Sequence, residues 1–135
     1  MADFIHLHNH TDFSLLDASQ KIETMCNRVY DLKMDSIAVT DHGNLFSMIP
    51  FYKQAKEKGI KPILGCDFED FILYAKNKDG WFDLIKYVSS QDVETLKLVA
   101  EHGNVICVSD NGNGLQKLFK NNYINWSCRD HEVFY

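Results

Sequence analysis

The chain has no membrane-length apolar run, no paired cysteines and no excess of positive charge, and each absence narrows what it can be. No stretch of its 135 residues approaches the roughly 20 apolar positions that a spanning helix needs. Asp3 and three histidines in the first ten residues do not read as a signal peptide. Cys26, Cys66, Cys107 and Cys128 are scattered, with no Cys-x-x-Cys pair. That argues against a structural zinc knuckle and for reduced thiols in a cytoplasm. The formal net charge of −5 offers no broad basic face to nucleic acid, although bound divalent cations reverse the charge of an acidic site and draw phosphate into it. Repeats, linkers and low-complexity segments are also missing. The chain closes on Val133-Phe134-Tyr135 without a polar tail, as a piece of something longer would.

What is present is 45% hydrophobic and 13% aromatic sequence, enough for a single domain over residues 1–135 with a real core. Strand and helix patterns alternate along it. Phe4–His8 reads as a first strand. Ile22, Met25, Cys26, Val29 and Tyr30 follow at helical spacing, with Ser19 as N-cap. Asp35–Thr40 is a short apolar strand ending in Asp41-His42-Gly43. A helix capped by Ser47 then runs to about Lys58 and stops at Gly59, and Pro50 is tolerable in its first turn. Lys61–Cys66 and Phe71–Ala75 are strands, helices cover Trp81–Val88 and Val93–His102, and Asn104–Ser109 is a strand. A short helix at Leu115–Phe119 and one more strand within Tyr123–Tyr135 complete the series. Strands separated by helices predict a parallel α/β sheet or barrel.

The candidate ligands fall where such folds carry their sites, at or just beyond strand ends. His6, His8 and His10 alternate along the first strand, so all three project to one side. Neutral imidazoles converging on one side suit zinc, manganese or iron. Ser14-Leu15-Leu16-Asp17, Thr40-Asp41-His42-Gly43 and Gly65-Cys66-Asp67 add further donors, each near another strand. A single His-x-His arises often by accident; an ordered set does not.

These residues carry a likeness. His6-Leu7-His8-Asn9-His10-Thr11, Ser14-Leu15-Leu16-Asp17, Thr40-Asp41-His42-Gly43-Asn44, Phe51-Tyr52-Lys53-Gln54-Ala55 and Lys61-Pro62-Ile63-Leu64-Gly65-Cys66 resemble the opening of the PHP (polymerase and histidinol phosphatase) domain, in the form found at the start of bacterial replicative DNA polymerases, the polymerase III α subunits. The likeness is close over residues 4–90 and thins beyond. It implies a PHP-type distorted β/α barrel, here shortened or incomplete, holding up to three divalent metals. It also implies phosphoester hydrolysis, in some polymerases as a 3′–5′ exonuclease. By motif, His8 and His10 match the His-x-His pair, Asp17 the following acidic ligand, and His42 the histidine of the Thr-Asp-His-Gly turn. Asp67 stands where the family has glutamate, one methylene longer. The later family ligands have no clear match: Ser109-Asp110-Asn111 replaces a Ser-Gly-Cys, and Arg129-Asp130-His131 contains no Asp-x-His.

Each assignment has a rival. His6 lies deeper on the strand, where core packing competes with ligation. Asp17 could cap the helix near Ser19, and Glu69 or Asp70 could take the role of Asp67. Asp41 fits better as a group that orients a histidine than as a ligand. Asp110, Cys128, Asp130 and His131 are speculative replacements for the late ligands. His102 is explained by its place at a helix C-terminus, and Lys53, Lys56, Lys58 and Lys61 by a solvated face. Three functional readings follow. One is a metal-dependent phosphoesterase acting on a DNA 3′ end, with impaired catalysis. The second is a non-catalytic PHP module that stabilises or docks onto a replicative polymerase. The third is a short independent protein using the same front half to bind polymerase machinery. Partners expected on this basis are a polymerase-like chain or a second copy, and no membrane.

Overall fold

The computed structural model describes residues 4–16, 18–109 and 114–125. It is a mixed α/β chain that divides into two compact units, one ending at Cys66 and the other starting at Asp67. Among the described residues no helix is long and apolar enough to cross a membrane.

The first unit is built from α1 (Ile22–Asp31), β1 (Ser36–His42), α2 (Met48–Glu57) and β2 (Lys61–Asp67), the last residue of which opens the second unit. Ile22, Met25, Cys26 and Val29 recur at the period of a helix and are all buried. Tyr30, expected on the same face, is instead 59% exposed, with the Lys58 ammonium 5.7 Å from its ring centroid. β1 is buried through Asp41, as a strand covered on both faces must be. In α2, Met48, Phe51 and Ala55 turn inward and α1 packs against it. Gly59 closes this helix at φ 71°, a conformation that glycine adopts without steric cost.

Two helix starts differ from expectation. The N-cap of α1 is Lys21, without a side-chain bond, rather than Ser19. Ser47 does sit at the N-cap of α2, yet its side chain makes no capping bond; the hydroxyl goes to the Asp41 carboxylate instead.

Phe4–His8 does not form a ladder strand. The segment lies beside β1 and is tied to it irregularly. The Ala38 N–H donates to the His6 carbonyl at 3.0 Å, and the Thr40 N–H to the Asn9 carbonyl at 2.8 Å. Between these bonds the Asn9 side-chain amide reaches the Ala38 and His6 carbonyls at 2.9 and 3.2 Å. A side chain thus serves backbone carbonyls beside β1, and the regular pattern is lost. Phe4, Ile5 and Leu7 remain 63%, 41% and 49% exposed. His6 is exposed too, its ring edge-on to Phe4 at 4.7 Å, so the expected core position is not what the fold provides.

The second unit contains β3 (Phe71–Ala75), α3 (Lys78–Ser90), α4 (Val93–His102), β4 (Val105–Ser109), α5 (Leu115–Phe119), a 3₁₀ turn at Lys120–Asn122 and β5 (Tyr123–Asn125). β3 and β4 pair antiparallel, with Leu73 opposite Cys107, whereas β4 and β5 are parallel. The expected all-parallel arrangement fails here for a simple reason. Two consecutive helices, α3 and α4, each reverse the chain, so β4 returns against β3; α5 alone separates β4 from β5 and leaves them parallel. Leu73, Leu84, Val99, Val105, Cys107 and Phe119 make the core of this unit.

Its helix ends are cleanly specified. Asn77 caps α3 by accepting the Gly80 N–H at 2.9 Å, and Asp92 caps α4 by accepting the Thr95 N–H at 2.6 Å. Gly103 ends α4 at φ 71°. Gly80 is required for another reason: a Cβ there would sit 2.1 Å from the Asn104 carbonyl oxygen, which accepts the Lys76 N–H.

Candidate metal centre

β1 delivers His42 at its end, and the segment docked beside it delivers His8 and His10. The His8 and His10 ring centroids are 5.1 Å apart, and those of His10 and His42 5.8 Å, both edge to face. His8 is exposed, while His10 and His42 are half-buried. Three imidazoles are therefore gathered with His10 in the middle, although the segment that carries His8 and His10 is not the strand the alternation assumed.

What holds them there is a buried carboxylate. Asp41 is fully buried, as are Thr11 and Ser47, and Ser14 is 2% exposed. The Thr11 N–H and hydroxyl donate to the two Asp41 carboxylate oxygens at 2.6 and 2.7 Å. The Ser14 hydroxyl donates to it at 2.7 Å, and the Ser47 hydroxyl also donates to it. Ser14 Oγ in turn accepts the His42 N–H at 3.0 Å. A desolvated carboxylate is costly unless its oxygens are supplied with donors; here four donors supply them, three from the loop immediately after His10. Asp41 thus does not orient an imidazole directly, as the sequence suggested. It fixes the backbone just after His10 and, through Ser14, the N–H of His42.

Asn44 fastens the next stretch. Its side-chain amide donates to the Phe13 and His42 carbonyls at 3.1 and 3.2 Å, and its Oδ1 accepts the Phe46 N–H at 3.1 Å. The Cys66 thiol lies 3.4 Å from the Asp41 carbonyl oxygen and 3.6 Å from that of Asn44, as a donor in the core and not as an exposed nucleophile. The roles of Ser14, Asn44 and Ser47 were not legible beforehand.

Asp67 ends β2 and is 6% exposed, and one of its oxygens accepts the Glu69 N–H at 2.9 Å. Its rivals Glu69 and Asp70 are both exposed. Asp17, Asp110, Cys128, Asp130 and His131 lie outside the described residues. His102 does more than end a helix: its Nδ1 is 3.0 Å from both carboxylate oxygens of Asp83, an acid on α3 that is 5% exposed. The signal for that pair was Asp83 itself, a charge set between Phe82 and Leu84 on an otherwise apolar stretch.

The imidazoles of His8, His10 and His42, gathered beside β1, are donors of the kind that bind divalent transition metals, and their chemistry fits such an ion. That defines a candidate metal-binding α/β domain. Comparison sharpens it: the PHP domain model matches residues 6–124, and the chain belongs to the PHP domain family. It is 38% identical over 130 residues to the DNA polymerase III subunit alpha of Helicobacter pylori, covering 78% of this chain and 11% of that protein. To the corresponding subunit of Borreliella burgdorferi it is 42% identical over 110 residues, covering 67% of this chain and 10% of the relative. The chain thus spans about a tenth of these relatives' length. An amidohydrolase from Chromobacterium violaceum, solved with bound sulfate, overlaps 73% of the chain and 36% of its own at a TM-score of 0.49 and 17% identity.

Proposed function

We propose that this chain is a metal-binding, phosphoesterase-type PHP module serving DNA replication, with weakened catalysis of phosphodiester hydrolysis at a 3′ end. His8, His10, Asp17, His42 and Asp67 are the residues to which we assign the metal, with zinc, manganese or iron as the cation. The observation that carries this reading is the imidazole row His8–His10–His42. When bound, a divalent cation would polarise a phosphoryl oxygen and provide an activated water. The chain's own share is positional: Asp41, through Thr11 and Ser14, ties the loop after His10 to the end of β1. The weakening follows from Asp67, one methylene short of the family glutamate, and from Asp110 and Asp130-His131, which depart from the late ligands. The remainder of a PHP-type barrel is part of the same proposal.

A second reading is favoured by the relatives, which are polymerase subunits. In it the module is non-catalytic and docks onto a polymerase-like chain or a second copy, covering exposed apolar side chains of the first unit such as Leu15, Leu16 and Phe46. Hydrolysis separates the two. With Mn²⁺, the purified chain should cleave a small phosphomonoester slowly and release nucleotides from a 3′-labelled single strand weakly or undetectably, and His42→Ala should abolish both. Complete inertness with retained metal supports the docking module. Rapid 3′ degradation lost in His42→Ala would refute the weakened catalyst.

A further inference from the structure

Next to the imidazole row the first unit contains a cleft of about 540 Å³ lined by Asp12, Phe13, Ser14, Leu15, His42 and Phe46, together with Asn44. That is within the roughly 300–1,000 Å³ range of small-molecule sites. Three of its lining residues carry aromatic rings, and His42 belongs both to this cleft and to the imidazole row. Phe46 is 75% and Leu15 82% exposed, a large apolar area to leave to water beside a polar site. Yet the backbone that carries these side chains is pinned: Asn44 bonds the Phe13 and His42 carbonyls and the Phe46 N–H. The backbone beneath these rings is fixed, so covering them costs mainly the rotamer freedom of the side chains.

The polar groups of the cleft are mostly committed. The Ser14 hydroxyl is used by Asp41 and His42, and the Asn44 amide by the frame. Apart from the imidazole, the Asp12 carboxylate is the remaining polar side chain in the lining, and it can only accept hydrogen bonds when ionised. An occupant suited to this lining has a flat ring for Phe13 and Phe46 and a hydrogen-bond donor for Asp12. It also has an anionic end to lie toward His42.

Resting on the phosphoesterase reading above, we propose that this cleft selects the organic part of the phosphate ester: a planar nucleobase bearing an amino group stacks on Phe13 and Phe46 while its phosphate lies toward His42. The site would then discriminate nucleotides from sugar phosphates by the base and not by the phosphate alone.

The test compares 2′-deoxyadenosine 5′-monophosphate with 2-deoxyribose 5-phosphate, which lacks only the base, by titration calorimetry on the Mn²⁺-loaded full chain. The nucleotide should bind about tenfold tighter, the scale of one base–aromatic stack. Phe13→Leu together with Phe46→Leu keeps apolar bulk but removes the flat faces, and should erase the difference while leaving metal stoichiometry and circular dichroism unchanged. Equal affinities, or a preference that survives the double variant, would overturn the proposal. So would a double variant that alters only self-association, which would make the cleft a protein-docking surface. A separate arm uses deoxyadenosine without metal. Shifts in the Phe13 and Phe46 ring resonances are expected there even if no cation binds, so failure of the metal site and failure of the stacking surface give different results. Silent resonances would count against the stack.

Discussion

The segment from Phe4 to Leu16 and the helical pair α3–α4 are opposite solutions to holding side chains in place. The first has no regular helix or strand and is held by hydrogen bonds that reach some 30 residues along the chain, chiefly to Asp41. The second is held by side-chain caps at its N-termini, a left-handed glycine at its end, and close packing at Gly80. Its one buried acid, Asp83, is satisfied by a neighbouring helix through His102. The candidate chemistry sits on the irregular segment. Irregular backbone is not held by a ladder or a helix of its own, so it needs a polar centre such as Asp41 to make it rigid.

If Asp41 is that centre, removing it should be the most damaging single change in the first unit. Asp41→Ala leaves three buried hydroxyls and one amide without their acceptor, and we expect a loss of about 3–5 kcal/mol in urea unfolding. Asp41→Asn, which can accept only part of these bonds, should fall between. A loss below about 1 kcal/mol for the alanine variant would mean that the loop is held by something else.

The matching change in the second unit is steric. Gly80→Ala forces a methyl toward the Asn104 carbonyl and should cost about 1–3 kcal/mol. It should do so without affecting metal binding, whereas Asp41→Ala should weaken both. If the two variants lose metal equally, the contrast between the units is false.

Titration gives a smaller effect. Burial pushes the Cys107 thiol up to about 12, and raises Cys26 and Tyr74 as well. For a group whose folded pKa is raised, stability is fully present below the unfolded value and is lost as pH rises. Between pH 9 and 12 the unfolded chain binds fewer protons than the folded one, so stability falls. Denaturant midpoints measured from pH 8 to 10.5 should decline, and Cys107→Ala should flatten the decline. A slope unchanged by that substitution would contradict the assignment.

Much of this was legible in the chain. β3, α4 and α5 fall on their expected residues because apolar spacing, the glycine stops and the flanking polar residues agree locally. That His8, His10 and His42 lie near one another was legible from the motif and from the end of β1, not from strand alternation, since Phe4–His8 is no strand. The rest depended on partners far away in sequence. Phe4–His8 has the composition of a strand, but the Asn9 side chain enters its bonding to β1. Ser47 has the position of a cap, but Asp41 takes its hydroxyl. Antiparallel β3–β4 pairing follows from counting two helices rather than one between them, which strand pattern alone does not register. Asp83 announced a partner without naming it.

The most direct test of the account is the metal itself. Protein purified without chelator should carry at least one equivalent of zinc, manganese or iron by mass spectrometry. His8→Ala together with His10→Ala should remove it and lower the melting temperature of the metal-loaded sample to that of the stripped one. The same stoichiometry in the double variant, or no metal in the unaltered chain even after Mn²⁺ or Zn²⁺ is added, would contradict it.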